Sequence, residues 1–190
     1  LGSKRLNASD KPIAELIVTK KAVLQNVNFS KPVEGRLQAG ALILPCAIGR
    51  SGIGRLKREG DGATPAGAWP LLFGFYRGDR APRLAASLPL ERSHPRLGWC
   101  DDADSAVYNR PVHLPFGASH ETIWRDDGLY DIVIVLGHNL QPRRKRGGSA
   151  IFLHCARDDL APTAGCVALR PADLRRLLPR LSKQCVLVVK

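Results

Sequence analysis

The chain has 190 residues, enough for one domain with a packed core, and 44% of them are hydrophobic. No stretch approaches the roughly 20 consecutive apolar residues of a membrane-spanning helix. Lys and Arg outnumber Asp and Glu 29 to 17, a formal charge of +12 that suits polyanionic surroundings: nucleic acid, anionic lipid, or a wall polymer bearing carboxylates and phosphates.

Residues 1–12 are expected to be an N-terminal tail and 13–190 one catalytic-sized domain. The opening LGS reads as a cloning scar, and with no Met in the chain its first residue is not a natural translation start. Stretches 14–29 and 35–49 are rich in Val, Ile and Leu and broken by Asn, Pro and Gly, so they predict short strands joined by turns. RSGIGRLKREGDGATPAGAWP from 50 to 70 is dense in Gly and charge and predicts a long surface loop, a kind of segment that often carries function. AWPLLFGFYRG (68–78) predicts a strand, and 79–128 reads as mostly irregular. YDIVIVLGHN (130–139) and SAIFLHCA (149–156) are strands. PADLRRLLPRL (171–181) has Pro at the first helical position and leucines at helical spacing, and QCVLVVK (184–190) closes the chain as a strand. The fold class is mainly β, a barrel or sandwich with long loops and one or two short helices.

Outside these elements the basic residues are dispersed. The one dense run, PRRKRGG (142–148), is framed by Pro and Gly and reads as a solvated loop. Without interleaved aromatics or a known module, nucleic-acid binding is not expected. The five cysteines (46, 100, 155, 166, 185) include no CxxC pair, which argues against structural zinc, and their odd number leaves at least one thiol unpaired. Cys46 and Cys100 are candidates for a pair in an oxidising compartment.

Chemistry concentrates in IFLHCARDDLAPTAGCVAL (151–169). His154 ends one apolar run and Cys166 heads the next, with a polar, Pro-bearing loop long enough to bring the two strand ends together. A thiolate is the nucleophilic form of cysteine, and a neighbouring imidazole takes its proton and stabilises the ion pair. Gly165 lets the backbone turn sharply and aim consecutive N–H groups at a developing oxyanion. On residue types alone, a core thiol and a strand-end histidine is the stronger reading.

The ordered set of motifs is more specific. His, a loop, then Thr-x-Gly-Cys-hydrophobic resembles the signature of the YkuD-type L,D-transpeptidases, and PCAIGRSGIGRLKREGDGATPAGAWPL (45–71) is similar to that family's Gly-rich segment ending in TP.G. GFYRGDR, GWCDD, YNR, SHETIWRDDGLYD and GSAIFLH resemble a compact proteobacterial branch, so the likeness covers about residues 40–185. It implies Cys166 as nucleophile, His154 as general base and acid, backbone N–H donors at Gly165 and Cys166, and Thr163 shaping the turn. It also implies a histidine oriented by a backbone carbonyl, so that Asp158 and Asp159 on the loop need not complete a triad. Ala164 and Ala168 stand where the family often has polar neighbours, and Cys155 where glycine is usual, which bears on acceptor specificity rather than on the reaction.

Tyr76, Arg80, Trp99, Asn109, His120, Arg125 and Tyr130 fall in the resembling stretches and are, with Thr163, the candidates for substrate binding. Each has loop bracing as its alternative, and Trp99 and Trp124 have a core role. Arginine suits a bidentate grip on stem-peptide carboxylates. The resemblance implies peptidoglycan stem peptides as donor and acceptor, carbapenem-type β-lactams as covalent inhibitors, no cofactor, and a periplasmic location. The linkage it implies is 3→3 or 1→3. The rivals are an L,D-carboxypeptidase or amidase with the same nucleophile, and a non-catalytic wall-binding module.

Overall fold

Fourteen short strands and one helix order the described residues of this computed structural model, which are 11–20, 34–81 and 84–190. The expected strand character of 21–29 and most of the tail 1–12 lie outside them. In chain order the strands are β1 (Glu15–Lys20), β2 (Glu34–Ala39), β3 (Leu42–Ala47), β4 (Ile53–Gly54), β5 (Thr64–Pro65), β6 (Gly67–Tyr76) and β7 (Leu90–Arg92). Then come β8 (Leu97–Cys100), β9 (Pro111–His113), β10 (His120–Thr122), β11 (Ile132–Leu136), β12 (Phe152–Cys155) and β13 (Val167–Leu169). Helix α1 (Pro171–Leu177) and β14 (Val186–Val189) complete the set.

The largest sheet runs β11-β12-β13-β3-β2-β1-β14-β6, and β6 pairs back onto β11, so eight strands close into a barrel; β7 extends the β6 edge. Closure leaves few open ladder groups and lets each strand sort its residues by face. One face of the ring forms the larger core: Leu16 and Val18, Leu37, Leu44 and Cys46, Ile132 and Ile134, Leu153 and Cys155, Val167 and Leu169, Leu187 and Val189. The intervening residues of β11 and β12, with Phe75 of β6, form a second cluster with Trp99, Ile123 and Tyr130. Hence all five residues of β11 are buried, which is why IVIVL is continuously apolar rather than alternating.

The second cluster is roofed by a three-stranded sheet, β10-β8-β9. The sequence reading leaves 79–128 irregular, and this sheet corrects it. Strands such as Pro111–His113 and Glu121-bearing β10 are too short and polar to show an alternation, and register with β8 (Glu121 opposite Trp99) is what defines them. The helix, expected to reach 181, is α-helical only to Leu177 and tightens to a 3-10 turn over Leu178–Arg180. Pro179 has no N–H to donate and its ring crowds the preceding turn. No helix among the described residues is long and apolar enough to cross a membrane. All five cysteines are free thiols; Cys46 lies in the barrel core and Cys100 in β8, so the expected candidate pair does not form.

Candidate active site

Strands β12 and β13 run parallel with Leu153 opposite Val167 and His154 opposite Ala168. Extending that register by one residue sets Phe152 beside Cys166, and the Phe152 N–H donates to the Cys166 Sγ at 3.3 Å. Because successive side chains alternate, Leu153, Cys155, Val167 and Leu169 enter the barrel while Phe152, His154 and Cys166 face outward beneath the small sheet. His154 and Cys166 are therefore diagonal neighbours on one sheet face, and both line a cavity of about 320 Å³.

The turn before Cys166 is shaped by two threonines. Thr163 donates its hydroxyl to the Cys166 carbonyl at 2.7 Å and accepts the Gly165 N–H at 3.1 Å. Thr64, fully buried, donates to the same carbonyl at 3.4 Å and accepts the Gly49 N–H at 2.7 Å. Gly165 has φ +145°, and a Cβ there would stand 2.9 Å from the Ala63 carbonyl oxygen, so a side chain is refused twice over. One sequence expectation changes here. The Gly165 N–H, expected to face an oxyanion, is held by the Thr163 hydroxyl; the Cys166 N–H has no acceptor among the described residues.

The sulfur donates to the Ala150 carbonyl at 3.1 Å. Ala150 sits at φ +50°, an uncommon setting for a residue with a Cβ, and is held there by Asn109, whose Oδ1 accepts its N–H at 3.1 Å. Burial pushes the Cys166 thiol up to about 12, helped by the Glu121 charge and opposed by the Phe152 N–H and Lys57. Burial pushes His154 down to about 4, opposed by the carbonyls of Cys155 and Leu129. The resting pair is thus a neutral thiol and a neutral imidazole, not the ion pair that the residue types suggest. His154 Nδ1 lies 2.8 Å from the Cys155 carbonyl, which can only accept, so Nδ1 carries the proton and Nε2 the lone pair. Tyr130 packs edge-on against the imidazole, ring centroids 5.1 Å apart. Asp158 and Asp159 are exposed on the loop and make no bond to the imidazole.

Of the residues named from sequence, His154, Cys166, Gly165, Thr163, Arg125 and Tyr130 share the cavity; Tyr76, Arg80, Trp99, Asn109 and His120 do not line it. Tyr76 accepts a bond from Arg92 at 3.3 Å, and Arg80 pairs with Asp131 at 3.0 Å. His120 Nδ1 meets the Ala118 carbonyl at 2.8 Å. Trp99 is buried edge-on to Phe152 and donates its indole N–H to Asn109 at 2.9 Å. These are the loop-bracing and core roles, except that Asn109 acts on the site from behind through Ala150. Arg125 clasps Asp127 and lies over the Tyr130 ring.

Several cavity residues escape the sequence reading. Lys57, Glu59, Asp101, Glu121, Arg157 and Ser149 all reach it. Tyr130 donates to Glu121, whose carboxyl is raised by burial, and one oxygen of Asp101 is buried without a partner. In the sequence these look like any surface polar or charged residue. Among the described residues no three His, Cys, Asp or Glu side chains converge as metal ligands.

No curated protein and no solved structure matches the chain significantly. The family model for the YkuD L,D-transpeptidase catalytic domain matches residues 34–189, from β2 to the end of the last strand, and takes in both halves of the cavity wall. The chain belongs to the YkuD family of L,D-transpeptidase catalytic domains.

Proposed function

We propose that the protein is a cysteine L,D-transpeptidase that joins peptidoglycan stem peptides through a thioester. The observation that carries this reading is the shared outer face of β12 and β13, where an imidazole with its Nε2 lone pair uncommitted stands diagonal to a cysteine in an open cavity. Cys166 attacks the carbonyl of the L-centre of a diaminopimelate residue in the donor stem. Since the resting thiol is neutral, its proton passes to His154 Nε2 as the S–C bond forms. The Cys166 N–H meets the oxyanion; the C–N bond to D-alanine breaks and His154 returns the proton to the leaving amine. An amine of a second stem then attacks the thioester, giving a 3→3 or 1→3 link.

The cavity's mixed charge suits this substrate. Diaminopimelate stems carry carboxylates and an ammonium; Arg125 and Arg157 answer the former, Asp101 and Glu121 the latter. A basic surface fits an anionic wall polymer in the periplasm. The test is mass spectrometry of purified muropeptides incubated with wild type and Cys166→Ala. Cross-linked dimers that vanish in the variant are expected. Trimmed monomers without dimers would identify a carboxypeptidase, and a variant as active as wild type would remove Cys166 from the reaction.

A further inference from the structure

The oxyanion side of the site is one amide short, because the Thr163 hydroxyl holds the Gly165 N–H. Beside that gap stands a cation. Lys57 lies in the loop between β4 and β5 with only 6% of its side chain exposed, and its Nζ is 3.4 Å from the point where a side chain on Gly165 would begin. Its aliphatic stem runs against Gly148, where a Cβ would come within 2.8 Å of it, so the loop holds the stem in a fixed channel. Asp61 accepts one of its protons. That carboxylate also accepts the N–H groups of Arg58 at 2.8 Å and Ala63 at 2.9 Å, which turns it back into its own loop. An ammonium has three donors, and among the described residues Asp61 is the one recorded partner. Burying a lysine to brace a loop is an expensive choice, since a neutral amide braces with a much smaller desolvation penalty. The cavity wall is where it arrives.

We propose that the Lys57 ammonium is a catalytic residue that donates a hydrogen bond to the oxyanion formed when Cys166 attacks its acyl donor, in place of the Gly165 amide. Resting on the transpeptidase reading above, it adds no chemistry to the balance. The S–C bond forms, the leaving-group bond breaks, the thiol proton travels through His154 to the leaving nitrogen, and Lys57 keeps all its protons. The charge acts in the right direction before substrate arrives as well, favouring the thiolate of Cys166.

Two readouts on the intact protein test this: the acylation rate with a carbapenem, followed as a mass increase, and the iodoacetamide rate of Cys166 at fixed alkaline pH, followed by peptide mapping. Lys57→Met is expected to slow acylation about 10²-fold, the loss seen on removing one oxyanion donor, with most of it in the maximal rate. It is also expected to slow alkylation of Cys166 several-fold, because fewer sulfurs are ionised. Lys57→Arg retains most of both, and Asp61→Asn, which keeps the ammonium, exceeds Lys57→Met in acylation. If Lys57 only braces the loop, its loss loosens the cavity and alkylation speeds up. That result, or Asp61→Asn falling as far as Lys57→Met, overturns the proposal. Alkylation needs no transpeptidation, so a failure here is distinct from finding wild type inert toward the carbapenem, which would strike the functional reading itself.

Discussion

Cys155 and Cys166 sit one strand apart, and both thiols are pushed up by burial, to about 11 and about 12. Yet they live in different chemistry. Cys155 points into the barrel in the same aliphatic cluster as Leu153, Val167 and Leu169. Cys166 points the other way, its sulfur bonded to the Ala150 carbonyl and the Phe152 N–H at the wall of an open cavity. Ionisation tendency does not separate them; the face of the sheet does. A strand's alternation sets a core residue such as Cys155 next to an outward-facing one such as His154, and a single-residue slip of the strand would exchange their faces.

The sharpest way to break this contrast is to exchange its members. Cys166→Ala is expected to lower dimer formation by at least about 10³-fold and to cost about 1–3 kcal/mol of stability, since the Phe152 N–H loses its acceptor, while Cys155→Ala retains activity per folded molecule. Paired muropeptide assays and thermal melts read both. Next comes His154→Gln, expected to cost about 10²- to 10⁴-fold in maximal rate. Its partner variant Leu153→Ala inverts the pattern: activity near wild type, but a loss of about 2–5 kcal/mol in urea unfolding from a cavity in the barrel core. Thr64→Val should cost about 1–3 kcal/mol, since the Gly49 N–H loses its acceptor in a buried site. A Thr64→Val protein as stable as wild type would show that this hydroxyl does not tie the Gly-rich loop to the Cys166 turn.

The gentlest test is pH. A protonated imidazole cannot act as base, so kcat/KM is expected to fall only as pH drops through the folded-state value of His154, about 4, rather than through the about 6.5 of an unburied histidine. Stability follows a related path. The unfolded chain takes up this proton first, so the neutral histidine's contribution declines from about pH 6.5 downward and is lost through about pH 4. An activity limb near pH 6.5 would refute the dry, neutral imidazole.

Much of the barrel was legible. The apolar runs that became β3, β6, β11, β12 and β14 carry the β signal in their own composition, and Pro171 with its following leucines marks the start of α1. The proposed catalytic pair shows in the sequence only as an ordered motif, because one His and one Cys have no periodicity. What stayed hidden was made by register between distant segments. Asp101 and Glu121 meet because β8 and β10 pair, and neither strand announces itself. Lys57 lies in a loop whose Gly content signals turns but not direction. Trp99, Asn109 and His120 stand out as polar or aromatic residues in suggestive stretches, though Trp99 and Asn109 are buried behind the cavity wall and none of the three lines it.

The protonated, carbonyl-bound sulfur has one more consequence. Peroxide and disulfides react with the thiolate, so a cysteine held as S–H at rest is a poor target for both. The protein should therefore withstand oxidising surroundings while idle, becoming vulnerable only in the moment when an acyl donor draws the proton away. Hydrogen peroxide should inactivate it slowly, at a rate that rises with pH, and rapid loss at neutral pH would contradict the arrangement around Ala150.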